Sequence, residues 1–535
     1  MMKAKRKRAF MPKTTAEKGL TFKNPVLAGT YPDPSVCRVG EDYFLVTSSF
    51  AYYPGVPLFH SKDLVNWNQI GHVLDRPSQL NLDGVGQSEG IFAPTIRYHQ
   101  GVFYMITTNV SRGGNFIVTT KDPFGAWSDP YWLPEAPGID PSLFFDDDGK
   151  AYYTGTRPNP DGVRYNGDWE IWLQELDLEK MRLVGPEYTL WKGAMAGVIW
   201  PEGPHLYKIN GYYYLLISEG GTGHHHALTI ARSEGGITGP YYGNPANPIL
   251  THRHLGKDYP IVNVGHGDLV QTQKGEWWMV VLASRPSGGY YRNLGRETFL
   301  VPVVWEDGWP VVSPGDGRVR FEYALPDLPP GESRPRLACT HFTEAVLGPE
   351  WQFLRTPRDD FWSLTERPGY LRLKLKAQSV KDLVNPSFIG RRQQHHDFSA
   401  GAALEFSPRH EREEAGLVLL QNHSYHWRFV VTQKSGERLV QLIRCAGGAE
   451  EVIGEEVCSV RRMNLLVQAR GQEYDFYYGE PEGTWFALAK RVDGRILSTD
   501  VAGGFVGAFI GLYASSNGGA EDNYADFDWF EYSAL

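Results

Sequence analysis

The sequence predicts an all-β chain, a five-bladed β-propeller followed by a β-sandwich. Three observations lead there. Five segments in the first three hundred residues share a short polar start, a strand, a glycine-containing turn and an aromatic strand. No long amphipathic helix interrupts them, and short alternating runs without helix return after residue 340. At 535 residues the chain is also too long for an ordinary single core, so two or more domains are expected.

The five segments are DPSVCRVGEDYFLVTSS from Asp33, APTIRYHQGVFYMITTN from Ala93, DPSLFFDDDGKAYYTGT from Asp140, EGPHLYKINGYYYLLIS from Glu202 and HGDLVQTQKGEWWMVVL from His266. Their starts lie 60, 47, 62 and 64 residues apart. Further strand-like sequence follows the hairpins, such as PLFHSKDLVNW (57–67), NFIVTTKDPFGAW (115–127) and IWLQELDLEKMRLVG (171–185). About sixty residues make one four-stranded blade, so five units make a five-bladed propeller over residues 23–320. Innermost strands of a propeller face its channel. Asp33, Ala93, Asp140, Glu202 and His266 should therefore ring the channel mouth, three carboxylic acids and a histidine among five positions. The plainer reading is that D-P and E-G are turn-forming pairs, but Asn, Ser and Gly would then be expected at these positions too, and they are absent. Pro32 and Pro34 stiffen the backbone around Asp33 and bias the residues that precede them towards extended geometry.

Residues 321–339, within the Pro-, Gly- and charge-rich SPGDGRVRFEYALPDLPPGESRPRL (313–337), read as a linker. The runs GYLRLKL (369–375), GAALEFS (401–407), AGLVLLQ (415–421), HWRFVVT (426–432) and AFIGLYAS (508–515) then predict a β-sandwich over residues 340–535.

Composition narrows the class of function. A net charge of −9 with 21% charged residues argues against nucleic-acid or anionic-membrane partners and for a neutral substrate. Sixteen Trp, 29 Tyr and 26 Phe suit sugar faces as well as strand cores. Cys37, Cys339, Cys445 and Cys458 have neither disulfide-framework nor zinc spacing. Residues 1–22, with the basic run Lys3 to Arg8, are expected to be a disordered tail. With no signal-peptide core and no long apolar run, a cytoplasmic location is expected. The run His224–His226 offers at most two side chains to one face of a strand, with no carboxylate at ligand spacing, and reads as strand or loop surface.

PDPS (32–35), IDPSLFFDDDG (139–149), PEGPHLYKINGYYYL (201–215), VGHGDLVQT (264–272) and LGRET (294–298) together resemble glycoside hydrolase family 43, the β-xylosidases and α-L-arabinofuranosidases. The C-terminal sandwich, ending in YADFDWFEY (524–532), resembles the concanavalin-like accessory domain of two-domain members. The resemblance implies an exo-acting, inverting glycosidase releasing terminal xylose or arabinofuranose from xylan-derived oligosaccharides. It implies Asp33 as general base, Glu202 as general acid and Asp140 as the residue that orients the acid and raises its pKa. Inversion needs two carboxyl groups about 6.5–9.5 Å apart with a water beside one of them.

The resemblance also implies pocket positions at Phe50, Phe92, Ala93, Thr222, Arg296 and Phe505, with His226 in the same lining segment as Thr222. Phe92 stands where many relatives carry tryptophan. Phe505 would come from the sandwich and cap the channel; an ordinary core role is the alternative for Phe50 and Phe505. Arg296 would reach the sugar and could hold a carboxylate such as Asp140, against the alternative of a salt bridge with Glu297. His266 would sit at the channel centre beside a calcium or sodium ion and its waters, or be a hydrogen-bonded core histidine. Exposed sheet edges are compatible with a homo-oligomer. Two other functions were weighed. A non-catalytic sugar-binding propeller would have lost one of the acids, and a retaining, fructan-cleaving propeller would carry N-D-P-N-G where this chain has Y-P-D-P-S.

Overall fold

The computed structural model describes residues 20–535 apart from Ala196, Val198, residues 333–337, Glu482 and Glu521. The basic run Lys3–Arg8 lies outside the described residues. Five antiparallel sheets form the propeller blades, each from strands that follow one another in the chain, except that in the first blade Tyr52–Tyr53 intervenes and pairs elsewhere. Their innermost strands are Ser35–Val39, Ile91–His99, Ile139–Phe145, Glu202–Ile209 and Val262–Gln271. Each is followed by an aromatic second strand across a tight turn. Gly40, Gly101, Gly149, Gly211 and Gly275 sit in those turns with φ between +63° and +89°, which explains why glycine recurs in the repeat.

The ends of the ring are tied by a short strand, Thr21–Lys23, paired with Glu322–Ala324. The propeller thus takes in Thr21 and Phe22, which the sequence assigns to the tail, and Glu322–Ala324, which it assigns to the linker. Asn24 continues the closure, its amide donating to Leu300 O and its Oδ1 accepting from Leu300 N, both at 2.9 Å.

The leading residues of the blades do not continue regular strands. In blades two to five the pairing register shifts at the first residues of the innermost strand, between Phe92 and Thr95, Ile139 and Ser142, Glu202 and His205, and Gly265 and Asp268. Such bulges twist the strand and re-aim one side chain. Asp33, Asp140 and His266 adopt left-handed backbone there, with φ of 55°, 52° and 43°. The extended geometry expected at Asp33 from Pro34 is therefore overturned. A left-handed step turns the carboxylate across the strand direction and into the channel, and local strain of this kind concentrates at functional sites.

The second domain is a sandwich of two eight-stranded sheets. One of them ends, beyond Gln352–Leu354, in a two-residue strand from the propeller: Tyr53 pairs with Phe353 and Tyr52 with Leu354. The two domains thus share a sheet. An apolar cluster likewise runs from Val46, Ile91 and Met105 of the first two blades to Leu404, Phe429 and Leu465 of the sandwich.

Candidate active site

At the mouth of the channel a cavity of about 340 Å³ is lined by Asp33, Asp140, Glu202, His266, Arg296 and Thr222, and walled by Phe50, Phe92, Ala93, Trp169, Trp200 and Phe505. All ten site residues read from sequence meet here, brought from five blades and the sandwich. Trp169, which opens the third strand of the third blade, and Trp200, two residues before Glu202, fall outside the five repeat segments and escape the sequence reading.

Asp33 is buried and held at both oxygens. Ser48 Oγ donates to Oδ2 at 2.6 Å and Arg296 Nη1 donates to Oδ1 at 2.8 Å. Burial pushes its carboxyl up, but Arg296, His266 and the Ser48 hydroxyl outweigh it, and the group lies below the ordinary aspartate value. Asp33 is thus an anion at neutral pH. Arg296 also donates to Thr222 Oγ1 at 3.0 Å. Its carboxylate partner is Asp33, not Asp140. Nor does Arg296 pair with Glu297, which is instead gripped by Arg285 at 2.7 Å.

Asp140 behaves in the opposite way. Burial first, then the neighbouring carboxyls of Glu202 and Asp33, hold it well above the ordinary value, while the Gly203 N–H at 3.1 Å on Oδ2 acts against this. Asp140 therefore keeps its proton to higher pH than Asp33 does.

Three phenylalanines form the apolar wall. The Phe50 ring lies edge-on to Phe92 at 5.4 Å and stacked towards Phe505 at 6.5 Å, and the Arg296 guanidinium sits 5.7 Å from both Phe50 and Phe505. Phe50 and Phe92 also pack on sandwich residues such as Leu354, Val506 and Phe509. Phe50 is therefore both pocket wall and interdomain core. Phe505 remains 40% exposed and serves the pocket only.

The His224–His226 run is not the plain surface expected. His225 is exposed, but His226 is fully buried, with Nε2 3.6 Å from Glu202 Oε1. His266 is buried and held neutral, its pKa lowered by desolvation, with Nδ1 3.7 Å from Asp33 Oδ1. Calcium takes about six to eight oxygen ligands. Here the protein offers one imidazole and a carboxylate already bound to Arg296 and Ser48, so these residues do not form a protein-built calcium site. Among the described residues one group of three metal-type donors occurs, His426, Cys445 and Glu450 on the sandwich. Its Glu450 is already paired with Lys381 and Arg428, at 3.2 and 3.0 Å.

Beneath the acids the channel is plugged by a polar network contributed by all five innermost strands. Asp268 accepts from Ser35 Oγ (2.8 Å), Arg97 Nη1 (2.8 Å) and Tyr207 Oη (2.6 Å). Arg97 also donates to His205 Nδ1 at 2.9 Å, and Ser142 Oγ lies 3.1 Å from the same nitrogen. This plug closes the lower end of the channel, leaving a pocket rather than a through-going groove.

A carboxylate anion, a second aspartate whose carboxyl is held well above the ordinary value, a glutamic acid, a fixed arginine and a blind aromatic pocket suit acid–base attack on a neutral, ring-shaped substrate. Comparison with known proteins agrees. The family "Glycosyl hydrolases family 43" matches residues 22–310, and "Beta xylosidase C-terminal Concanavalin A-like domain" matches residues 339–533. A xylosidase/arabinosidase of Butyrivibrio fibrisolvens is 53% identical over 95% of this chain and 98% of its own. A non-reducing end alpha-L-arabinofuranosidase of Bacteroides ovatus is 42% identical over 96% and 95%. The crystal structure of a xylan beta-1,4-xylosidase from Bacillus halodurans superposes with a TM-score of 0.90 at 36% identity, over 96% of this chain and all of that one. With a propeller, a sandwich and a carboxyl-lined pocket at their junction, the chain belongs to glycoside hydrolase family 43.

Proposed function

We propose that the protein removes terminal xylose or arabinofuranose from the non-reducing ends of xylan-derived oligosaccharides, in one step with inversion at the anomeric carbon. The observation that carries this is the closure of a blind pocket by Phe505 of the second domain. A cavity of about 340 Å³ accommodates one sugar ring. An adjoining one of about 310 Å³, sharing Trp200, Thr222 and Phe505 and bounded by Arg292 and Thr499, would take the leaving portion of the chain. The relatives named above act on these two terminal sugars.

In this reading Asp33, ionised and fixed by Arg296 and Ser48, takes a proton from the attacking water. Glu202 gives its proton to the departing glycosidic oxygen. Asp140, whose own carboxyl is held well above the ordinary value, stands beside Glu202 as the residue that orients it. Arg296 spans Asp33 and Thr222 and would bind ring hydroxyls with its remaining N–H groups. No step requires an ion at His266.

The test is hydrolysis of 4-nitrophenyl β-D-xylopyranoside and α-L-arabinofuranoside by the wild type, Asp33→Ala and Glu202→Ala, with the product anomer followed by NMR. Turnover of at least one substrate with inversion, and its loss in Asp33→Ala, is expected. Retained configuration would defeat the single-step assignment, and an active Asp33→Ala would defeat its role.

A further inference from the structure

Near the proposed acid one group is conspicuously unused. The ring of His226 is completely buried, and its Nε2 has no hydrogen-bond partner although it faces Glu202 Oε1 at 3.6 Å. A buried polar atom left in this way is costly and calls for a partner present in some state of the site.

The surroundings of the ring fix which proton it carries. Nδ1 lies 3.1 Å from the backbone oxygen of Asn263, an acceptor only, so Nδ1 holds the proton and Nε2 presents a lone pair to Glu202. The backbone is pinned as well: His226 N donates to Gly223 O at 3.1 Å, and Thr251 Oγ1 donates to His226 O at 2.8 Å. On the ring's flank stands Gly265, where a Cβ would come within 2.2 Å of His226 Cε1, so residue 265 leaves this space open only as glycine. A side chain so immobilised cannot turn away from Glu202.

We propose that His226 is a positioning residue for Glu202: its Nε2 accepts a hydrogen bond from the protonated carboxyl and holds the acid charged with its proton until substrate arrives. The proposal rests on Glu202 being the acid. A lone pair accepts from a carboxyl O–H but repels a carboxylate oxygen, so the contact favours the protonated form. Hydrogen bonds of this kind are commonly long in an empty site, and a shift of about half an ångström brings the pair into range. The terminal torsion of a glutamate side chain is soft, so rotation of the carboxyl swings its O–H from Nε2 to the glycosidic oxygen. The O–H bond breaks only there, as the C–O bond to the leaving group opens, and His226 itself neither gains nor loses a proton.

Other titratable groups face this pair. Asp140 of blade three and His266 of blade five lie within electrostatic reach of Glu202, and Asp33 of blade one and His266 lie within reach of His226.

The experiment measures the pH dependence of kcat/KM for the full-length wild type, His226→Leu and Glu202→Ala on two xylosides, one with a 2,4-dinitrophenyl leaving group, which needs little acid assistance, and xylobiose, which needs it fully. In His226→Leu the alkaline limb on xylobiose should move about one pH unit downward, the worth of one hydrogen bond. Activity on xylobiose above that limb should fall roughly tenfold, and the dinitrophenyl rate should change little. An unmoved limb, or equal losses on the two substrates, would overturn the proposal by showing His226 to be structural only. If the leucine variant does not fold, His226→Asn takes its place; its side chain is too short to reach Glu202 and should shift the limb in the same direction, an unmoved limb again counting against us. Glu202→Ala separates the two levels of inference. Equal losses on both substrates in that variant would remove the acid assignment itself, whereas leaving-group-dependent loss there without a limb shift in the His226 variant would remove only the positioning role.

Discussion

The pairing of Arg296 with Asp33 joins residues 263 positions apart, and it decides which acid is the anion. Both aspartates are buried to the same extent at the channel mouth. Only Asp33 has a guanidinium and a hydroxyl on its oxygens, whereas Asp140 has the Glu202 and Asp33 carboxyls acting on it, with the Gly203 N–H and the charge of Arg296 in compensation. Removing the arginine in Arg296→Ala leaves burial to dominate at Asp33. Its carboxyl then rises, and the acid limb of the kcat/KM profile should move to higher pH, with activity at the optimum down by about a hundredfold or more. An unshifted acid limb would show that Arg296 binds sugar without setting the base. The sequence made both residues legible as site members, because the repeat and the LGRET motif mark them. It left open whether Arg296 would serve Asp33, Asp140 or Glu297, since that depends on which rim atoms face each other once the blades close. His226 was half legible for a similar reason: a histidine triplet has no period, and burial of its third member follows from the glycine at 265.

At the level of strands, the recurring glycine turns and aromatic second strands were open to reading, while the bulges at the leading residues were not. A bulge is a relation between two strands, so neither strand's own pattern announces it. The bulges of blades three to five, and the left-handed step at Asp33 in blade one, place one side chain in the pocket and a residue two or three further on in the plug below, where Ser35, Ser142, His205 and Asp268 gather around Arg97 of blade two. Burial raises the Asp268 carboxyl, but Arg97 and His205 outweigh it and hold the group far below the usual carboxylate range. Its contribution to stability is therefore present above the unfolded-state value of about 3.9 and is lost as the pH falls through the carboxylate range towards the folded value. Asp268→Ala leaves Arg97 buried without its charge partner and should cost about 3–5 kcal/mol at neutral pH. Denaturant unfolding at about pH 7 and about pH 3 checks both statements: the wild type should lose part of its advantage over the variant at the lower pH. A variant as stable as wild type at pH 7 would contradict the plug's structural role.

For the molecule as a whole, the sequence separated two domains more cleanly than the fold does. Tyr52 and Tyr53 form too short a strand to be seen in any pattern, yet they complete a sheet of the sandwich. The propeller loop around Arg292–Gly295 is bound to the second domain by the Arg292–Asp500 ion pair at 2.8 Å and by Ala508 N donating to Asn293 O at 2.8 Å. The backbones meet directly there: a Cβ on Gly507 would lie 2.6 Å from Leu294 C and O. Phe505 stands two residues before Gly507, and its backbone oxygen accepts from Arg296 Nη2 at 3.4 Å, so this contact bears on where Phe505 sits over the pocket. Gly507→Ala must push the domains apart locally and should destabilise the protein by about 1–3 kcal/mol. Because Phe505 moves with it, KM for a terminal pentoside should rise more than kcat falls, which steady-state kinetics would show; unchanged KM would mean that Phe505 is not a working wall of the pocket. The shared sheet and the common apolar cluster carry a stronger consequence. A propeller cut after residue 320 would expose Tyr52, Tyr53 and Phe50 and lack Phe505, so it should be poorly soluble and inactive on either pentoside. The intact chain should unfold in a single calorimetric transition, the two domains melting together because neither has a complete core alone. Two separated transitions, with one fragment keeping activity after the first, would show that the domains are independent bodies and that the pocket belongs to the propeller alone.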